Sequence, residues 1–275
     1  MYASAIDVKS LSANQYATLY NLFSLVIAAM LFTAIYLLFS RNGVATVYRN
    51  AITISAMVCG IASYHYFRIF ENFKESYPAG STTGAAHTLS NIKFNEGYRY
   101  VDWLLTVPLL LVEAVAVIGL ARVVQKKLLT KLVPAAIAMI ALGYPGEISN
   151  ATGPRVVWGL LSTLPFVYVV YVLFVELTKS LDSQPAEVKH TIQMLKLMIL
   201  GLWGVYPIAY LFPVFGGKFF NGAGGFVLRQ GGYSIADILA KAGFALVILK
   251  IARMKSAIDD PTYAIDHPTY AMNNA

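Results

Sequence analysis

Apolar stretches alternate with short polar breaks along the whole chain, at 14–40, 48–72, 94–121, 130–148, 154–178, 190–213 and 232–254. Each is close to the ~20 residues that a helix needs to cross roughly 30 Å of hydrocarbon. A segment in lipid must satisfy its own backbone donors and acceptors, so each is expected to be an α-helix. The pattern predicts an all-α membrane protein, seven transmembrane helices in one bundle, with the whole of 1–275 forming one domain. Two connections are expected to be long loops on the same side, 77–95, rich in Gly, Ser, Thr and Asn, and the Gly-rich 216–232. Residues 256–275 are expected to form a solvated tail, in which Pro-Thr-Tyr-Ala occurs at 261–264 and again at 268–271.

Composition agrees. Charged residues make up only 13% and hydrophobic ones 57%, where a soluble domain would carry about 25% charged residues, so a water-soluble enzyme is excluded. The net charge of +7 is scattered over the ends of the apolar stretches and forms no stripe for nucleic acid; it reads as a set of topology determinants. Twelve Lys and Arg residues, with a cluster from Arg122 to Lys131, fall on one side, and eight (Lys9, Arg68, Lys74, Lys93, Arg99, Arg155, Lys218, Arg229) on the other. The richer side is expected to be cytoplasmic, placing the N-terminus outside and the C-terminus inside. Met1 to Asn21 shows no basic segment leading to a cleavage site, so the first helix is expected to serve as its own insertion signal. The single cysteine, Cys59, has no partner for an intrachain disulfide.

Ionisable residues within apolar stretches need a partner or a task. Lys241 lies about ten residues into the last stretch, and Asp237 precedes it by four, one turn away on the same helix face. Either the two form a neutralised ion pair, or Lys241 is a desolvated amine suited to forming a Schiff base with a carbonyl compound. In the third stretch Asp102 and Glu113 are 11 residues apart. At 100° per residue they fall within roughly 20° of each other, separated by a rise of about 16 Å. Thr106 shares their face. Two carboxylates in line fit stations of a proton relay or ligands for an ion. Arg99, one turn beyond Asp102, is read either as its counter-charge or as a snorkelling interfacial residue. His65 stands at the depth of Asp102 and is either a pairing partner for it or a histidine bonded to a backbone carbonyl. Trp103, Trp203 and Tyr206 flank Asp102 and the helix-breaking Pro207, where a bulky apolar ligand would be gripped between helices.

The run Arg99-Tyr100-Val101-Asp102-Trp103-Leu104-Leu105-Thr106, continuing to Glu113, resembles the third-helix signature of the microbial (type 1) rhodopsins. Asp237-Ile238-Leu239-Ala240-Lys241 looks like their retinal-attachment motif, and Trp203-Gly204-Val205-Tyr206-Pro207 like the sixth-helix side of their retinal pocket. The resemblance implies a seven-helix bundle enclosing all-trans retinal, bound to Lys241 as a protonated Schiff base with Asp102 and Asp237 as counterions. The triplet Asp102, Thr106, Glu113 is similar to that of the proteorhodopsin and xanthorhodopsin group of light-driven outward proton pumps. By that resemblance Asp102 accepts the Schiff-base proton, Glu113 donates its replacement, and His65 pairs with Asp102. The implied protein is an ion transporter, not an enzyme, multi-pass in the cell (inner) membrane and homo-oligomeric. A photosensory rhodopsin signalling to a partner is the competing reading, which Glu113 disfavours.

Two positions refine the resemblance. Leu110 stands at the family's colour-tuning position, with the residue associated with green absorption. Gly159, in Val157-Trp158-Gly159, falls where many relatives carry a tryptophan over the retinal ring; in xanthorhodopsin-like members a glycine there admits a carotenoid antenna, which makes a carotenoid a candidate second chromophore. The stretch 214–232 contains no Asp or Glu, so the paired glutamates of haloarchaeal pumps have no counterpart there, and early proton release is not expected. Glu96 or Glu147 could contribute to the exit path, and neither is singled out as the release group.

Overall fold

Ser12 opens the first helix, α1 (Ala13–Ser40): its hydroxyl accepts from the Gln15 N–H at 3.2 Å while the Gln15 side chain accepts from the Ser12 N–H at 2.9 Å. Two otherwise unpaired donors of the first turn are satisfied in this way. The computed structural model describes residues 8–78, 80, 84–259 and 263, and the tail repeat lies outside them. After α1 come α2 (Arg49–Ser76), α3 (Gly97–Val117), α4 (Arg122–Glu147) and α5 (Thr152–Ser180). The sixth rod is α6 (Ala186–Trp203) continued by α7 (Val205–Tyr210), and the short helices α8 (Phe212–Phe215) and α9 (Gly217–Phe220) lead to the seventh. That rod consists of α10 (Ala223–Asp237), a π-helical turn at Ile238–Gly243 and α11 (Phe244–Asp259). Each rod from α1 to α6 packs on the next, and the seventh packs against α1, α2, α3 and α6, closing the ring.

Seven helical rods thus stand where the seven apolar stretches lie. By length and composition, five helices among the described residues are apolar enough to cross a membrane: Ala13–Gly43, Gly97–Val117, Arg122–Glu147, Thr152–Ser180 and Val188–Tyr210. The other two differ for visible reasons. Helix α2 turns Ser55, Ser63, His65 and Asn72 into the bundle, and the π-helical turn divides the seventh rod into helices of 15 and 16 residues.

Three expectations change. The all-α reading misses a two-residue antiparallel pairing, β1 (Ser10–Leu11) with β2 (His87–Thr88), which ties the expected loop 77–95 to the N-terminal segment; such short strands leave no alternation to detect. Most of 216–232 is helical instead of a loop. A Cβ added at Gly225 would lie 2.3 Å from the Phe220 carbonyl oxygen, so glycine here permits a close approach of the backbone and does not mark an open linker. The fourth rod starts at Arg122 instead of 130, because Arg, Gln, Lys and Leu are good helix formers whatever their polarity. Between α3 and α4, Gly119 has φ +75°, the left-handed region that glycine enters without penalty.

Candidate functional site

Lys241 sits in the middle of the π-helical turn and is 1% exposed. π-turns of this kind are frequent at functional sites because the extra residue re-aims a side chain. Its Nζ donates to Asp102 Oδ2 across the bundle and lies 3.2 Å from Asp237 Oδ1 on its own rod. Asp237 is surrounded by donors: Tyr206 OH at 2.7 Å and Trp103 Nε1 at 3.3 Å reach Oδ1, and Tyr66 OH at 2.7 Å reaches Oδ2. Asp102 is held less completely, since Oδ1 has no hydrogen-bond partner among the described residues. Thr106 donates to the Asp102 carbonyl oxygen at 2.8 Å, tying the two residues into one turn of α3.

Arg99 is 1% exposed and lies wholly inside the bundle, which rules out the snorkelling alternative. It donates to Tyr66 OH and to Gln230 Oε1, each at 2.7 Å, and stands 3.8 Å from Asp237 Oδ2. Three guanidiniums read from the sequence as flanking charges are in fact internal: Arg99, Arg155 and Arg229. Arg229 bridges Glu96 at 2.8 Å and Glu147 at 3.0 Å, and Arg155 donates to the Glu147 carbonyl oxygen at 2.6 Å.

Glu113 is fully buried at the other end of α3's inner face. Ser55 on α2 donates to its Oε2, while Oε1 has no hydrogen-bond partner among the described residues. The expected bond between His65 and Asp102 is not made in this structure. His65 Nδ1 and Asp102 Oδ1 both lack a hydrogen-bond partner among the described residues, while the Lys241 amine donates to the other oxygen of Asp102.

A cavity of about 210 Å³ ends at Lys241. All eight residues expected to hold a chromophore line it: Tyr100, Trp103, Leu110, Gly159, Trp203, Tyr206 and Pro207, with Lys241 itself. Its walls are mostly apolar and aromatic, which fits a long conjugated hydrocarbon anchored through one carbonyl carbon to the amine. Gly159 leaves room for a neighbouring ring, since a Cβ there would come within 2.7 Å of Tyr210 Cε1. The sequence reading did not single out Tyr66, Ser55, Gln230, Tyr210 or Tyr233. Of these, only Tyr66 adjoins a candidate residue in sequence, His65.

The sequence profile of the family described as bacteriorhodopsin-like protein matches residues 17–254. The chain belongs to this family. Among the relatives of this bacteriorhodopsin-like protein is the green-light absorbing proteorhodopsin of Gamma-proteobacterium EBAC31A08, 31% identical over 238 residues, 86% of each chain. The crystallographic structure of xanthorhodopsin, titled a light-driven ion pump with dual chromophore, superposes with a TM-score of 0.85 at 41% identity, covering 92% of this chain and 98% of that one. A thermophilic rhodopsin structure gives the same TM-score at 40% identity, covering 92% and 99%. These likenesses place the bacteriorhodopsin-like chain in the proteorhodopsin and xanthorhodopsin group of microbial rhodopsins, as the triplet Asp102, Thr106, Glu113 implied.

Proposed function

We propose that this protein is a light-driven outward proton pump, with all-trans retinal bound at Lys241. The observation that carries the reading is the buried Lys241 amine, ending an apolar cavity, set between two carboxylates, with a third carboxylate further along the same face of α3. Retinal joined to Lys241 as a Schiff base supplies light absorption and a light-triggered change of geometry at the nitrogen. The protein's own groups do the rest. Asp237 is already saturated with donors, whereas Asp102 keeps a free oxygen, so the proton leaving Nζ goes to Asp102: the N–H bond breaks and an O–H bond forms. Glu113, steadied by Ser55, returns a proton to Nζ and is refilled from the end of the bundle that carries the C-terminus. Net movement is towards the end that carries β1 and β2. Thr106 and Arg99 act as positioning residues for Asp102 and Asp237.

Direction follows from orientation. Once the buried Arg99, Arg155 and Arg229 are removed from the charge count, with buried Lys255 removed from the other side, five flanking cations face eleven. The margin for an external N-terminus and a cytoplasmic C-terminus, in a cell (inner) membrane, therefore widens. His65, unpaired here, is proposed to engage Asp102 once Lys241 carries retinal. A carotenoid antenna at Gly159 is supported by the neighbouring Leu160, which lines the cavity and is 64% exposed on the outer face of α5. Energy transfer in an excitation spectrum after adding hydroxylated or keto carotenoid is the expected result, and Gly159→Trp removes it. The many exposed apolar side chains suit a lipid-facing bundle, and homo-oligomerisation is part of the same proposal.

The deciding experiment is illumination of an unbuffered suspension of retinal-supplemented cells making the protein. Acidification that an uncoupler abolishes is expected. A coloured protein with no pH change would favour the sensory reading, and a colourless one would remove retinal from Lys241.

A further inference from the structure

Refilling Glu113 requires a proton to cross the end of the bundle that carries the C-terminus, and side chains close that end. Val117 and Ile118 follow Glu113 towards it by little more than one turn. Ile52 stands one turn from Ser55 on the same side, and Ile251 and Ala252 on α11 come just before the end of the bundle. All five are at most 1% exposed and apolar. Beyond this stopper stands an amine that the steps above do not use. Lys255 is 8% exposed and donates from Nζ, at 3.2 Å, to the carbonyl oxygen of Ile118, the residue that ends α3. Gly119 makes the bond possible: its φ of +75° turns the chain away, and a Cβ there would lie 2.6 Å from Nζ, in the space that the ammonium group fills. The stem of α11 that carries Lys255 is fixed as well. Nζ lies 5.6 Å from the centre of the Tyr48 ring, whose OH donates to Asp259 at 2.5 Å. Ser256 Oγ accepts from the Ala45 N–H at 2.8 Å, and Tyr263 OH donates to the Gly43 carbonyl oxygen at 2.7 Å. The end of α11 is thereby bolted to the connection between α1 and α2, and Lys255 extends the bolt to α3.

We propose that Lys255 is a latch on proton uptake: its ammonium group ties the end of α3 to α11 over Glu113, and the refilling of Glu113 waits for that bond to open. The proposal rests on the pump reading. Two effects of the amine act in the same direction. A helix ends with carbonyl groups that lack partners within it, and a cation that takes one makes a charge-assisted bond stronger than a neutral one. While it holds, α3 and α11 cannot part to let water reach Glu113. The fixed positive charge at the entry also opposes the approach of a proton, and does so strongly in surroundings of low dielectric constant. When the latch opens, an O–H bond of a water-borne acid breaks and an O–H bond forms on the Glu113 carboxylate. While it is shut, Glu113 can give its proton only towards Lys241, so the same bond prevents loss of that proton to the side it came from. Lys255 is a positioning residue, and the steps at Lys241 and Asp102, further along the bundle, do not depend on it.

The test uses retinal-loaded protein in lipid nanodiscs, where both faces meet the same bulk, with flash excitation. A pH-sensitive dye follows proton uptake, the infrared carbonyl band of Glu113 follows its refilling, and visible absorption follows the Schiff base. Lys255→Met keeps the apolar stem and removes the donor; it is expected to speed the refilling of Glu113 by roughly tenfold, the rate equivalent of one hydrogen bond of ordinary strength. Loss and return of the Schiff-base proton should keep their wild-type rates. Lys255→Arg, which keeps the charge and a donor, is expected to restore slow refilling. A folded, coloured Lys255→Met protein that refills Glu113 at the wild-type rate or more slowly would overturn the latch while leaving the pump intact. If that variant does not fold, Gly119→Ala decides, because its Cβ displaces the amine: faster refilling supports the latch, and an unchanged or slower rate rejects it. Wild-type protein that takes up no proton after the flash defeats the pump reading itself, and the latch with it.

Discussion

Single side chains divide into those whose chemistry is local in sequence and those whose partners come from far along the chain. Lys241 and Asp237 are four apart, and Asp102 and Glu113 eleven, so helical geometry alone aligned them. Tyr66 meets Asp237 across 171 positions, Ser55 meets Glu113 across 58 and Arg229 meets Glu147 across 82. No periodicity links such pairs, which is why they emerged only from packing. Arg155 and Arg229 were misread for the same reason: at the end of an apolar stretch, a cation that snorkels and one buried against a distant glutamate look alike. At this scale Asp102→Asn should abolish light-driven acidification while leaving a coloured protein. Glu113→Gln should slow the late photocycle by about a hundredfold, the usual effect of losing a positioned proton donor. Ser55→Ala, which keeps the carboxyl group but frees it, should slow the same step less, as flash spectroscopy would show.

Elements were legible where hydrophobicity ran unbroken and illegible where glycine or charge interrupted it. The sixth rod was visible through Pro207, but the entry to the seventh was hidden among the glycines of 216–232, where backbone contact with Phe220 demands the absence of a side chain. The π-helical turn left no trace in the pattern, because one additional residue per turn only blurs a periodicity. The turn between α3 and α4 gives a prediction of its own. A Cβ at Gly119 would enforce an unfavourable left-handed backbone and would come within 2.6 Å of Lys255 Nζ, which donates to the Ile118 carbonyl oxygen at 3.2 Å. Gly119→Ala should therefore lower stability by about 1–2 kcal/mol, read as a lower temperature of thermal bleaching.

For the molecule as a whole, the interior is organised along a polar axis inside an apolar jacket. The fold and the group were readable from the sequence because three helices carry their motifs in order, whereas the ionic assembly around Arg229 was not, being contributed by α3, α4, α5 and α10. Removing its central cation should be felt globally. Arg229→Gln leaves two buried carboxylates facing each other without a bridge and is expected to destabilise the bundle by about 3–5 kcal/mol, measurable by chemical or thermal unfolding in detergent. The placement of Glu113 and Glu147 towards opposite ends of the bundle has an electrical consequence. Each cycle moves one elementary charge through nearly the full membrane field, so a potential that is positive outside opposes turnover by about 2.3 kcal/mol per 100 mV. Photocurrents recorded under voltage clamp should decline steadily as that potential is raised and approach zero at a stalling voltage.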